Sequence, residues 1–201
     1  ASRGMGLVLD IVPNHLAASK ENPYWWEVLA HGRNSVYWGW FDTFVAADER
    51  ILLPVLGRRL PDAVAAGEIR LVLNATGFEF QYFEKAYPAE IASLASAMLA
   101  VSAHKGCPGE CRELLGKLAT LPRQGGDQKE GIARILDERV GTGRLALWYG
   151  TSGEFRGWLE HQLGELNKPE ALLVLLQQQY YRLTFWHRAA GSINYRRFFN
   201  I

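Results

Sequence analysis

The chain of 201 residues is 48% hydrophobic and 21% charged, ordinary proportions for a folded protein able to bury a substantial core. Twenty-two basic against twenty-one acidic residues leave a net charge of +1, too small a field to hold a nucleic-acid backbone or an anionic membrane surface. No apolar run reaches membrane-spanning length and no secretory leader is visible, so we expect a cytoplasmic protein with neither nucleic acid nor membrane as a partner.

The first element is a strand. Gly6 to Val12 is almost continuously apolar, as a strand covered on both faces requires. Pro13 then stops ladder pairing and sends Asn14 and His15 past the strand's end, close to Asp10. Such a cluster of carboxylate, amide and imidazole suits the C-terminal rim of an α/β barrel, where strand ends converge on one concave site. Next, Asn22 caps a short helix that has Pro23 in its first turn and stops near Gly32. Gly39 to Val45 reads as extended. Ile51–Leu56, Glu68–Leu73 and Phe78–Phe83 read as three strands of one small sheet, with a short helix at Arg59–Ala66.

From Pro88 onward the pattern turns helical. Ala89–Ser102, with Pro88 in its first turn, is followed by Glu110–Leu121, Gln128–Val140, Gly153–Leu166 and Pro169–Trp186, with breaks at Gly141–Gly143 and Thr151–Gly153. Cys107 and Cys111 lie near enough to be two free thiols or a local disulfide, and they supply too few ligands for a metal. Tyr24, Trp25, Trp26, Tyr37, Trp38, Trp40 and Phe41 crowd one stretch. Aromatic faces of this kind bind the C–H faces of sugar rings, and Trp38 or Trp40 is the one we expect to face sugar. His31, His104, His161 and His187 share no spacing, and each reads as an exposed or satisfied helix position. Glu154, beside Arg156, reads as an acid favoured by a helix N-terminus.

Asp10-Ile11-Val12-Pro13-Asn14-His15 resembles the first sequence region of the α-amylase superfamily, which lies on the third strand of a (β/α)8 barrel. Asn22 to Leu29, Leu53 to Gly57, Gly67 to Leu71, Tyr181-Arg182-Leu183 and Ile193 to Phe199 are similar, in order and spacing, to the maltooligosyltrehalose synthase family within it. Residues from about Ala89 to Leu172 match mainly in length and helical character. The chain departs from the family at Phe44, Val45, Tyr180, His187 and Asn200.

The resemblance implies an α/β fold: a fragment of a (β/α)8 barrel, its third strand, followed by a long, mainly α-helical insertion with a small β-sheet. The expected divisions are 1–22 (strand and loop), 23–87 (mixed insertion with the sheet), 88–187 (helical subdomain) and 188–201 (return towards the barrel). It also implies a maltooligosaccharide, an α-1,4-glucan, as substrate, bound by Asp10, Asn14 and His15 at the strand end. Tyr195, Arg196 and Arg197 stand near the return, where the arginines make either sugar contacts or an interdomain ion pair. The implied reaction is intramolecular transglucosylation to an α,α-1,1 link, with α-glucan hydrolysis or a non-catalytic glucan-contacting module as alternatives. The family's catalytic Gly-x-Arg-x-Asp-His run and its two successors are missing. No catalytic residue, metal or cofactor is therefore expected in this piece.

Overall fold

A computed structural model describes residues 18–46, 49–74, 77–102, 107–123, 128–187 and 193–195. The expected strand Leu7–Val12, with Asp10, Asn14 and His15, lies outside the described residues, as do Arg196 and Arg197.

The mixed part opens with helix α1 (Pro23–His31), where the Asn22 side chain accepts from the N–H groups of Tyr24 (3.1 Å) and Trp25 (3.3 Å). The helix ends at Gly32, whose φ of 57° suits glycine. A side chain there is excluded twice, because a Cβ would stand 2.6 Å from the Tyr180 ring. Strand β1 (Ile51–Leu56), helix α2 (Leu60–Ala65), and strands β2 (Ile69–Asn74), β3 (Gly77–Tyr82) and β4 (Lys85–Pro88) follow. The helices are α3 (Ile91–Ser102), α4 (Gly109–Ala119), α5 (Gln128–Thr151), α6 (Gly153–Leu166) and α7 (Pro169–Leu176), and strand β5 (Tyr181–Phe185) comes after them.

Several expectations are corrected by this arrangement. The three strands do not form one sheet: β2, β3 and β4 make an antiparallel meander, whereas β1 pairs in parallel with β5, about 130 residues later. Pro88 closes β4 and does not begin a helix. The helix read over Pro169–Trp186 stops at Leu176, because Tyr181-Arg182-Leu183-Thr184-Phe185 finds a strand partner that no local signal reveals. Helix α5 runs through Gly141–Gly143 unbroken. There a Cβ on Gly141 would meet Leu118 at 2.7 Å, so packing against α4 outweighs glycine's poor helix propensity. Gly39–Val45 is only partly extended: Trp38–Trp40 form a 3₁₀ turn, and a lone bridge joins Thr43 to Tyr195.

One apolar core draws on both sides of residue 88. Ile51, Leu71 and Phe80 from the strands and Leu94, Leu115, Leu145, Leu159 and Leu172 from the helices are all buried in it. Tyr181, at the start of β5, joins the two sheets by donating its hydroxyl to the carbonyl of Pro88 (2.9 Å).

Small sheets leave strand edges with unpaired backbone groups, and here asparagine side chains fill that role. Asn167, just past α6, accepts from the Leu71 N–H (2.7 Å) and donates to the Leu71 carbonyl (2.9 Å), imitating a neighbouring strand on β2. Asn194 does the same for β1, accepting from the Leu52 N–H (2.9 Å) and donating to the Arg50 carbonyl (2.7 Å). Asn167→Ala should cost about 1–3 kcal/mol, because both Leu71 groups lose their partner in a setting with little water. Lys168→Ala, which removes only an exposed ion pair to Glu165, should stay within about 0.5 kcal/mol. Urea unfolding of the two variants checks this, and equal midpoints would refute the edge-sealing role.

Candidate functional site

Helix α1 and the 3₁₀ turn after it set out an aromatic shelf. Tyr24 packs on Tyr37 with ring centroids 4.7 Å apart, and Trp40 packs on both at 5.0 and 4.9 Å. Trp40 is 57% exposed, so a large flat face is open at the edge of the shelf. Trp38 is half-buried, held under the Arg33 guanidinium at 5.0 Å, while Arg33 donates to the Val45 carbonyl. The two tryptophans singled out in the sequence are thus placed differently: Trp40 offers its ring to solvent, and Trp38 is pinned beneath a charge.

Beside the shelf lies an open cleft of about 630 Å³ between α1 and the second half of α5. Tyr24, Trp26 and Tyr37 supply its aromatic side; Thr142, Gly143 and Ala146 supply a low wall opposite. The floor comes from Phe78, Pro88, Ala89 and Ile91, at the ends of β3 and β4 and the start of α3. One ion pair and one close polar contact cross between the helices. Arg139 donates to Glu27 at 2.7 Å, and Glu27 also accepts from the Ser35 hydroxyl at 3.2 Å. His31 Nδ1 lies 3.2 Å from Glu138 Oε2.

Behind the cleft stands a buried polar cluster. Glu90 accepts from the N–H groups of Ala92 (3.1 Å) and Ser93 (2.7 Å) at the start of α3, and from Arg134 of α5 at 2.8 Å. Its own N–H donates to Gln179 Oε1 at 2.7 Å. Arg134 also approaches Glu138 at 3.9 Å and lies over the Tyr180 ring at 5.9 Å. Tyr180 donates its hydroxyl to the Arg123 carbonyl (2.7 Å).

Tyr195 is placed away from this cleft. It is buried against Trp25, ring centroids 5.3 Å apart, and lines a smaller cavity of about 270 Å³ with Lys20, Trp26, Leu53 and Tyr87. Cys107 and Cys111 are free thiols, both held above the ordinary range by burial. Among the described residues no cluster of His, Cys, Asp or Glu is arranged to hold a metal, and no helix is long and apolar enough to cross a membrane.

His31, one of the histidines read as exposed or satisfied helix positions, is the last residue of α1. It is buried, and neither its Nδ1 nor Glu138 Oε2 has a well-aligned hydrogen-bond partner. Its role was hidden in the sequence because Glu138 is 107 residues away on another helix. The available signal was a histidine in the last turn of a capped helix directly before the aromatic stretch.

Comparison with known proteins finds likeness to proteins named for trehalose synthesis. The particular relatives are maltooligosyl trehalose synthases. Two sequences from Mycobacterium tuberculosis, of strains CDC 1551 / Oshkosh and H37Rv, carry that name provisionally and are 51% identical over 59 residues. That stretch is 28% of this chain and 8% of each relative, so the likeness seen in the sequence is borne out over a part of a much longer protein. No family model matches the chain. Among solved structures, the DSM5389 glycosyltrehalose synthase is 24% identical with a TM-score of 0.49, and a maltooligosyl trehalose synthase is 22% identical, also at 0.49. The Arthrobacter ramosus maltooligosyltrehalose synthase is 26% identical at 0.45. Each alignment covers all of this chain but only 16–18% of the other.

The tyrosines around the polar cluster give the fold a pH limit. Burial pushes Tyr180 up to about 12, and burial likewise raises Tyr87 and Tyr181. An unfolded chain ionises tyrosine near pH ~10, so the neutral-tyrosine contribution is complete below that pH and lost as pH rises through the folded values. The melting temperature should therefore fall between pH 10 and about 12, and Tyr180→Phe should make that fall shallower. An identical slope for the variant would contradict the assignment.

Proposed function

We propose that this chain is part of an intramolecular transglucosylase of the maltooligosyltrehalose synthase type, which converts the terminal α-1,4 link of a maltooligosaccharide into an α,α-1,1 link. The carrying observation is the 51% identity over 59 residues to the M. tuberculosis sequences. The exposed Trp40 beside Tyr24 and Tyr37 supports it, as a surface on which apolar sugar faces can rest while hydroxyls stay hydrated.

In this reading residues 6–12 form the third strand of a (β/α)8 barrel and residues 23–187 are the insertion beyond it. His15 donates to a hydroxyl of the sugar under attack, Asp10 braces that histidine's surroundings, and Asn14 holds the strand end by a structural hydrogen bond. Arg196 and Arg197 act where the chain returns to the barrel, with Tyr195 anchoring that return. The reaction is a retaining double displacement. It needs a nucleophilic carboxylate and a protonated acid about 5 Å apart, and both come from other parts of the enzyme. The released glucose has to stay in place and attack in its turn, so water must be excluded, and the insertion serves by covering the site.

Two outcomes follow. The 201-residue chain, given maltopentaose, should release neither glucose nor a non-reducing disaccharide; product that disappears on changing one of its own carboxylates would refute the division of labour. Trp40→Ala should weaken maltopentaose binding to the chain by roughly 5–10-fold, as expected for one lost stacking surface, measured by calorimetric titration. Unchanged affinity would remove Trp40 from the substrate path.

A further inference from the structure

We propose that the outward face of α5 is a self-association surface, on which a second copy of this chain lays its own α5 antiparallel about a two-fold axis between Val140 and Gly141. The proposal is independent of the glucan reading.

Helix α5 is amphipathic the wrong way round. Towards the core it turns Arg134 and Glu138, only 3% and 9% exposed, which belong to the buried charge network with Glu90. Outward it turns Ile132, Leu136, Val140 and Leu147, which are 42%, 56%, 66% and 62% exposed. With 3.6 residues and 5.4 Å to the turn, these four fall in one stripe about 80° wide and about 22 Å long. A lone exposed leucine needs no explanation; a row of four large aliphatic side chains marks a surface that is covered by something.

The edge of the stripe selects what covers it. Asp137 and Arg144 stand two turns apart along one flank, with opposite charges, and among the described residues neither forms an ion pair. Arg144 rests over the Trp148 ring at 5.1 Å, and Glu113, whose carboxylate feels the Arg144 charge, is already held by Lys117 at 2.7 Å. In an antiparallel pair centred between residues 140 and 141, Asp137 faces the second copy's Arg144 and Arg144 faces its Asp137. One alignment therefore satisfies both. The same alignment seats Leu147 at the level between the second copy's Ile132 and Leu136. It brings Gly143 to the level between Leu136 and Val140, and a Cβ added at Gly143 would meet nothing within 4 Å, so room is left there for the larger side chains. A parallel pair would set Asp137 against Asp137 and Arg144 against Arg144, which like-charge repulsion opposes. An isologous contact of this kind closes at two copies. A single helix contact about 22 Å long is smaller than a permanent interface, so the dimer is a weak one that dissociates in the micromolar range.

Sedimentation velocity of the 201-residue chain, from low micromolar to submillimolar concentration, tests this with wild type, Leu136→Gln, Asp137→Arg, Arg144→Asp and the doubly reversed Asp137→Arg/Arg144→Asp. All of these change exposed side chains, so the fold should persist, and circular dichroism checks it. The expected result is a reversible monomer–dimer equilibrium in wild type, weakened by Leu136→Gln. Each single reversal should weaken it about tenfold, because one change spoils both symmetric contacts, and the double reversal should restore it to within about threefold. A monomer at every concentration would overturn the proposal and leave the face to a different partner. A dimer indifferent to Leu136→Gln, or single reversals that the double does not rescue, would equally overturn it by placing the contact elsewhere or in another orientation.

Discussion

Glu90 and Arg134 form an ion pair whose side chains are each 1% exposed, 2.8 Å apart, and the layout of this molecule turns on how that pair is accommodated. Removing two such charges from water costs several kcal/mol per ion unless hydrogen bonds replace the lost hydration. Glu90 has that replacement, since two N–H groups of α3 and the guanidinium all donate to it. Arg134 is less fully served: its Nε and Nη1 have no hydrogen-bond partner, and it relies on Glu138 and the face of Tyr180. The pair therefore fixes α5 against the start of α3 within narrow limits. Glu138, one turn further along α5, then meets His31, and the cleft takes its inner end from that meeting.

The same economy of polar groups governs the sheets. A two-stranded parallel pair and a three-stranded meander are too small to protect their own edges, and asparagines at 167 and 194 supply the missing hydrogen bonds. Asn167 is held in place by a further bond to the Leu163 carbonyl (2.8 Å) at the end of α6. The end of α6 therefore seals β2, and the apolar core remains continuous between the helical and mixed parts.

What was legible in the sequence was local. The Asn22 cap, Pro23, the β-branched and aromatic content of 51–56, 69–74 and 77–82, and the break at Thr151–Gly153 before α6 all announce their elements within a few residues. What was hidden depended on distant partners. β5 follows α7 through Gln177-Gln178-Gln179 with no glycine or proline to mark the change, and becomes a strand because β1 is there to pair with it. Gly141 looked like a break because its reason, the nearness of Leu118, lies on another helix. The site divides the same way. Trp40 and its neighbours stood out as a crowded aromatic stretch, whereas His31 and Glu138 acquire meaning only once α1 and α5 are side by side.

These parts give a consistent physical account: aromatic rings on one side, small residues opposite, and a buried charge network setting the polar end. The network is the central claim, and a double-mutant cycle on Glu90 and Arg134 tests it most directly. Urea unfolding would compare wild type, Glu90→Leu, Arg134→Met and the double variant. The account predicts that each single change costs about 3–5 kcal/mol by leaving a charge buried without its partner, and that the double change costs less than the two together by more than about 1 kcal/mol. Additive losses, or single changes of only a few tenths of a kcal/mol, would show that the pair does not hold the helices and strands together.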